Sequence, residues 1–304
     1  MAKILISTSS FGKDDITPLE YCRQGNEVIL NPFGRKLTSD ELIELASEVD
    51  GIIAGTEYID KTVLEKLPKL KVISRCGVGM DNIDLDTAAE LGVKVYNTAD
   101  APTLAVAELT VGLMLALLRR ITLSDHGLRN SIWNKHMGSL LSGKNVGIIG
   151  FGRIGKKVAE LLLPFRVNIA YYDIAPQDVK FPCQLRPLEE LLSWADIITL
   201  HCSTSHGAKT IIGKEELKQM KKGAYLINTS RGGLVDEEAL YLSLKEGHLS
   251  AAALDVYEKE PYTGPLRELE NIILTPHVGS YAKESRIEME MQAVRNLLEG
   301  LKNK

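Results

Sequence analysis

Short runs of Ile, Val and Leu alternate along this 304-residue chain with stretches whose apolar residues recur every three or four positions. The first pattern suits buried strands, the second amphipathic helices. In the first third of the chain the apolar runs are Lys3–Ser7, Glu27–Leu30, Asp50–Ala54, Lys71–Ser74 and Val93–Tyr96. Helices are expected between them at Thr17–Arg23, Ser39–Glu48, Lys61–Leu67 and Leu85–Leu91. Such alternation predicts a parallel sheet with helices on both faces. Ala101–Arg120 is apolar nearly all round and has Pro102 and Thr103 at its start, so it reads as a buried helix. The pattern leaves open whether this is a core helix or an element between domains or subunits.

Asn130–Gly143 is irregular, and a second alternating series follows it. Strands are expected at Asn145–Ile149, Val167–Tyr172, Asp196–Leu200, Ala224–Asn228, Ser250–Val256 and Asn271–Leu274. Helices are expected at Arg153–Leu163, Leu188–Ser193, Lys214–Met220 and Asp236–Glu246. Lys283–Lys302 closes the chain as an amphipathic helix, with Ile287, Met291, Val294, Leu298 and Leu301 at helical spacing. If that helix returns to cover the first sheet, one domain is discontinuous. The expected division is residues 1–100 plus 281–304, and residues 101–280.

Lys144 to Asp173 carries the most specific pattern: strand, tight turn, helix, strand, acid. Gly150, Gly152 and Gly155 spell G-x-G-x-x-G. Gly150 permits the turn out of the strand, Gly152 lets a pyrophosphate approach the backbone, and Gly155 lets the helix lie close on the sheet. The helix that starts at Arg153 and Ile154 offers N–H groups and a positive dipole end to phosphates. Asp173 falls near the spacing of the carboxylate that bonds a ribose 2′-OH, which favours NAD over NADP. The fold class expected is therefore α/β, with two doubly wound parallel-sheet domains, the second a Rossmann-type NAD-binding domain.

Charge and composition then narrow the partners. The net charge is −4 and no long basic run occurs, so nucleic acid is not indicated. Cys22, Cys76, Cys183 and Cys202 form no C-x-x-C pair, which argues against a zinc site or disulfide framework and suits a reducing cytoplasm. The N-terminus lacks the apolar length of a signal peptide. The longest apolar run, Leu104–Leu118, is too short for a membrane span and carries Glu108. His126, His136, His201, His206 and His248 show no metal-ligand spacing and are read as surface or structural residues. The expectation is a cytoplasmic protein with no metal, no membrane and no nucleic-acid partner.

A nicotinamide enzyme also needs a cation for its substrate, a proton donor or acceptor, and a group that tunes the donor. These belong at the carboxyl ends of strands. Arg231 follows the strand Ala224–Asn228 in a glycine loop, and a guanidinium can grip a carboxylate through two parallel hydrogen bonds. Glu260 precedes Pro261 beyond Ser250–Val256, which favours extended backbone. His277 lies between Pro276 and a small-residue turn beyond Asn271–Leu274. Singly, these three would pass for an ion-paired Arg, a solvated Glu and a structural His. Together they form a set in which Glu260 favours the imidazolium of His277. His277 then gives a proton to the oxygen of a 2-oxo acid, or takes it back in the oxidative direction.

These residues carry a resemblance. GFGRIG with Asp173, NTSRGGLVDEEAL, AALDVYEKEP, LTPHVGS, RCGVGMDNID and VAELTVGLMLALLRR together resemble the D-isomer-specific 2-hydroxyacid dehydrogenase family, in its phosphoglycerate dehydrogenase-like branch. The match runs in order over nearly the whole chain. By that resemblance Arg231, Glu260 and His277 are catalytic, and Arg231 also binds the substrate carboxylate and carbonyl. Ser230 and Asp255 match positions near the nicotinamide, and Gly279 joins the cofactor-binding residues. The loop from Arg75 through Val78 and Gly79 offers backbone N–H groups to the substrate carboxylate, as small residues in a nest-like turn can. The resemblance further implies hinge helices near Ala101 and Lys283, D-configured substrates and a homodimer.

Some residues depart from the family pattern. Where phosphoglycerate enzymes often carry an Arg-Ser-like segment, this chain has Glu57, Asp60 and Lys61, of which only Lys61 suits a phosphate. Cys202-Ser203 stands where relatives often have a proline, and a regulatory domain of the kind some relatives append is not expected. The expected function is NAD-dependent hydride transfer between a small D-2-hydroxy acid and its 2-oxo acid, with 3-phosphoglycerate one candidate among glyoxylate, hydroxypyruvate and lactate-like acids. The alternative of another class is an NAD(H)-sensing corepressor-like binding protein of the same fold.

Overall fold

The computed structural model describes residues 1–175, 181–202 and 210–302. Ser203 and His206 lie outside them. Chain order begins β1 (Lys3–Ile6), α1 (Thr17–Arg23), β2 (Glu27–Leu30), α2 (Ser39–Ala46), β3 (Gly51–Ala54), α3 (Lys61–Glu65), β4 (Val72–Arg75), α4 (Leu85–Glu90) and β5 (Lys94–Asn97). It continues with α5 (Thr103–Leu118), α6 (Ile121–Arg129), β6 (Asn145–Ile149), α7 (Arg153–Leu162), β7 (Asn168–Tyr172), β8 (Gln184–Leu185), α8 (Leu188–Trp194) and β9 (Ile197–Leu200). The last elements are α9 (Lys214–Gln219), β10 (Tyr225–Asn228), α10 (Glu237–Lys245), β11 (Ala251–Leu254), β12 (Ile272–Leu274) and α11 (Lys283–Lys302).

The fold is α/β with two parallel sheets. The chain divides into two compact units, Met1–Pro102 with Ser280–Lys304, and Thr103–Gly279. In the first unit the strand order is β2-β1-β3-β4-β5, all parallel. Neighbouring strand residues feed opposite cores. Leu5, Ile52 and Ile73 pack with α2, α3 and α4, whereas Ile4, Ile6, Ile53 and Val72 pack with α1 and α11. Both faces of the sheet are therefore apolar, as helices on both sides require. Local capping starts the helices: Thr38 and Glu41 form a capping box on α2, and Asp60 and Asp84 accept from Val63 N and Thr87 N to start α3 and α4.

The second sheet has the order β12-β11-β10-β9-β6-β7-β8, also parallel. Val146, Ile148, Ile197, Ile227 and Ala253 face α5 and α7, while Ile149, Ile198, Leu226 and Leu254 face α8, α9 and α10. The order reverses between β6 and β9, which is the topological switch point where such sheets hold ligands. Within this unit α5 is a core helix. It buries Ala107, Leu113, Met114, Leu117 and Leu118 against α7 and the alanines of β11. Arg120, at φ 51°, ends that run, and α6 follows with no buried residue at all.

Candidate active site

β6 runs into Gly150, whose φ is +89°. A Cβ there would lie 2.6 Å from the Cys202 nitrogen, so the turn out of β6 passes too close to the end of β9 for any side chain. A Cβ on Gly155 would lie 2.1 Å from the Gly150 oxygen, which fixes how tightly α7 folds back over the strand end. Gly152 differs. It caps α7 without a side-chain bond, and a Cβ on it would meet nothing within 4 Å, so open space fronts the helix N-terminus. The start of α7, at Arg153 and Ile154, has the open N–H groups and positive dipole end that suit an anionic pyrophosphate. Phe151, 3% exposed, stacks on Tyr171 at 4.0 Å between ring centroids and anchors the loop.

Asp173 stands just past the end of β7. Its carboxylate accepts from Phe151 N at 2.5 Å and Ala175 N at 2.8 Å, so it faces the glycine turn. A carboxylate in that position suits the ribose hydroxyls and repels a 2′-phosphate. Cys202, just past β9, is near enough for Asp173 to reinforce the rise that burial imposes on its thiol, to about 11.

At the neighbouring strand ends the sheet gathers the other candidates. β10 delivers Arg231 through a loop that Asn228 organises from within. Asn228 Oδ1 accepts from Ser230 N at 3.0 Å and Ser230 Oγ at 2.7 Å, and Asn228 Nδ2 donates to the Arg231 carbonyl at 2.8 Å. Thr229 is tied to Thr110 of α5 at 2.8 Å between hydroxyls. Arg231 Nη1 donates to the Ser230 carbonyl at 2.7 Å. A Cβ on the following Gly232 would lie 1.8 Å from the Tyr257 oxygen, so the β10 and β11 loops are in contact here.

Glu260 sits in the β11 loop, and its peptide bond to Pro261 is cis. Its oxygens lie 2.9 and 3.1 Å from His277 Nδ1, and Oε1 also accepts from Tyr257 N at 3.2 Å. Burial works to raise the Glu260 pKa, but the His277 hydrogen bond and charge, the Tyr257 N–H and the Arg231 charge outweigh it and hold the carboxyl below its ordinary value. With Nδ1 engaged by a carboxylate, the ring orientation is set and Nε2 is the nitrogen available for proton exchange.

Asp255, 1% exposed, holds the loop that bears His277. Its oxygens accept from Thr275 Oγ1 at 2.6 Å, Val278 N at 2.8 Å and Gly279 N at 2.8 Å. Tyr257 adds a second brace, since its hydroxyl lies 2.9 Å from the Thr275 carbonyl and 3.1 Å from that of Leu254. The bracing roles of Asn228, Thr110 and Thr229 have no signature in the sequence, because each depends on a partner's position. His201 is buried, with Nε2 2.9 Å from Thr199 Oγ1.

Arg75, Val78 and Gly79 belong to the first unit. Arg75 Nη1 donates to the Cys76 carbonyl at 2.8 Å and the guanidinium covers Gly77, at φ 149°. Asn97 Nδ2 holds the Val78 carbonyl at 2.7 Å. The loop is therefore braced from β4 and β5. Glu57 does not project toward a ligand. It is 2% exposed and accepts from Ser7 Oγ and Gly55 N. Asp60 is spent capping α3, and exposed Lys61 lies 3.8 Å from Glu65. Among the described residues no group of three His, Cys, Asp or Glu could hold a metal, and no helix is long and apolar enough to cross a membrane.

Comparison with known proteins places this geometry. Residues 111–279 match the model of the D-isomer specific 2-hydroxyacid dehydrogenase, NAD binding domain. D-3-phosphoglycerate dehydrogenase of Methanocaldococcus jannaschii is 42% identical over 94% of this chain, which spans only 55% of that relative's length. Hydroxypyruvate reductase of Thermotoga maritima is 36% identical over 92% of this chain and 95% of its own. The crystal structure of a Thermus thermophilus protein superposes with a TM-score of 0.92 at 36% identity, covering 99% of this chain and 97% of that one.

Proposed function

This chain belongs to the D-isomer specific 2-hydroxyacid dehydrogenase family, and on that premise we propose that it interconverts a small D-2-hydroxy acid and its 2-oxo acid with NAD. The observation that carries the reading is the Glu260–His277 pair, at 2.9 Å, set at the strand ends of the sheet whose glycine turn cradles a dinucleotide. In this reading Gly150, Gly152, Arg153, Ile154, Gly155 and Asp173 hold the pyrophosphate and ribose. Ser230, Asp255 and Gly279 form the nicotinamide end. When bound, the nicotinamide supplies or accepts the hydride at C2 of the acid.

The chain's own residues do the rest. The N–H groups of Val78 and Gly79 take the substrate carboxylate, with Arg75 behind them. Arg231 grips carboxylate and carbonyl together and draws electron density toward the C2 oxygen. As that oxygen becomes negative, His277 Nε2 hands it a proton, and Glu260 steadies the imidazolium beforehand. In the reverse direction neutral His277 removes the hydroxyl proton and Glu260 stabilises the charge that results. The inward turn of Glu57 and the outward Lys61 leave the β3 loop without a cation for a phosphate, which favours an unphosphorylated acid.

We read the enzyme as a homodimer. Ile121, Leu128, Ile132, Trp133, Met137 and Leu140 are all exposed on α6 and the segment after it, Trp133 at 83% and Met137 at 91%. An apolar arm of this kind suits burial in a second copy. Trp133→Glu with Met137→Glu should move the sedimentation coefficient from dimer to monomer, and an unchanged value counts against the arm as interface.

The test of the activity is NADH oxidation with 3-phosphohydroxypyruvate, hydroxypyruvate, glyoxylate and pyruvate. Turnover of an unphosphorylated acid, with NADH preferred to NADPH, is expected. Tight NADH binding without turnover on any 2-oxo acid would refute the reading.

A further inference from the structure

In the second unit α10 starts beside the loop that carries Glu260. Glu237, the first residue of that helix, is half-buried, and its Oε1 accepts from Glu258 N at 2.8 Å. The preceding N–H of the same loop, that of Tyr257, goes to Glu260 Oε1 at 3.2 Å. Consecutive amides are therefore held by two carboxylates, one from α10 and one from the candidate site. Gly232 lies against the same peptide, since a Cβ on it would fall 2.7 Å from Glu258 N. Beyond Glu260, Tyr262 stacks on Tyr257 at 4.6 Å between ring centroids, and its hydroxyl accepts from Leu266 N at 3.2 Å. The stack closes the loop on itself, while Glu237 ties it to a helix.

Helix formation does not account for this side chain. Asp236 caps α10 by accepting from Ala239 N at 2.9 Å, and exposed Glu238 already places a charge in the first turn. Stability does not account for it either. Burial, joined by the charges of Glu258 and Asp236, pushes the Glu237 carboxyl above its ordinary value in spite of the Glu258 N–H. A fold that raises a carboxyl's pKa disfavours its charged form, so at neutral pH the group is kept at a cost. Its hydrogen bond is spent on the loop that presents Glu260 to His277.

We propose that Glu237 is a positioning residue: by holding Glu258 N it sets the loop in which Glu260 meets His277 Nδ1. That contact, at 2.9 Å, leaves little slack, and a displacement of about 1 Å in a catalytic site can cost on the order of a hundred-fold in rate. The proposal deepens the dehydrogenase reading and rests on it.

Glu237→Met keeps the length of the side chain and removes the acceptor, whereas Glu237→Gln keeps an oxygen for Glu258 N. With the 2-oxo acid that the wild type reduces fastest, Glu237→Met should lower kcat about ten- to a hundred-fold at unchanged NADH affinity, and Glu237→Gln should recover most of that loss. The same substitutions are then made in Glu260→Ala. There Glu237→Met should lower kcat less than about threefold, because the carboxylate it positions is already gone. A merely structural role would lower kcat by the same factor in both backgrounds. Equal factors, or a Glu237→Met enzyme with wild-type kcat, overturn the proposal while leaving the dehydrogenase reading intact. Glu237→Ala repeats the comparison without the bulk of a methionine, which separates a packing fault from loss of the acceptor. A wild type that reduces no 2-oxo acid refutes the dehydrogenase reading, and this proposal with it, so the two failures are distinguishable.

Discussion

His201 offers a quantitative test of how the second sheet is built. It follows β9 at the switch point, is 8% exposed, and its Nδ1 has no hydrogen-bond partner among the described residues. Burial pushes its pKa down from 6.5 to about 3. The folded protein therefore keeps this ring neutral at pH values where the unfolded chain binds a proton. Above pH 6.5 the two states agree and the group costs nothing. Below it the unfolded state gains the proton first, so stability falls with pH until the folded pKa is reached. Each pH unit in that window costs about 1.4 kcal/mol, and the drop from pH 7 to pH 5 amounts to roughly 2 kcal/mol from this residue alone. His201→Gln retains an amide to meet Thr199 Oγ1 and does not titrate. Urea unfolding of both proteins at pH 7 and pH 5 isolates the contribution, because the remaining titrations are common to both. The wild type should lose about 2 kcal/mol more than the variant between the two pH values. Parallel losses would mean that the ring is hydrated or reaches a proton acceptor, and the packing described for it would be wrong.

Two further substitutions probe the cofactor and histidine loops. Asp173→Asn preserves an acceptor for Phe151 N but removes the charge, so NADH should bind more weakly and the preference over NADPH should shrink; titration of both nucleotides by fluorescence reads this, and an unchanged preference would remove Asp173 from ribose recognition. Asp255→Asn leaves three donors facing only one good acceptor, which should cost about 1–3 kcal/mol of stability and lower kcat by displacing His277; a variant with wild-type melting temperature and turnover would show the loop to be held by other bonds.

Periodicity alone locates most elements, because the inner strands of both sheets are buried on both faces and are therefore continuous apolar runs. Glu27–Leu30, Thr17–Arg23, Asn145–Ile149 and Lys283–Lys302 have the bounds expected. The helix Ile121–Arg129 is not legible in the pattern, because it buries no residue and so has no apolar stripe facing a core. Strand Gln184–Leu185 is two exposed residues at a sheet edge, too short for any alternation to register. At the candidate site, glycine spacing makes the turn after β6 legible, and strand-end position draws attention to Arg231, Glu260 and His277. In the sequence Glu57 reads as a residue ill suited to a phosphate in the segment after β3, and the structure turns it inward. A carboxylate's direction depends on its partners, here Ser7 and the Gly55 N–H, one of which is fifty residues away in sequence. The brace from Asp255 to Gly279 N and the Thr110–Thr229 contact are hidden for the same reason.

The central claim is that His277, held by Glu260, moves the proton at C2 of the acid. It is tested most directly by single-turnover reduction of the preferred 2-oxo acid in wild type and His277→Ala, with NADH affinity measured on the same samples. The account predicts that NADH binding stays near the wild-type value while the rate falls about a hundred- to ten-thousand-fold, the range for loss of a positioned acid–base group. A variant that reduces the acid at the wild-type rate would contradict it.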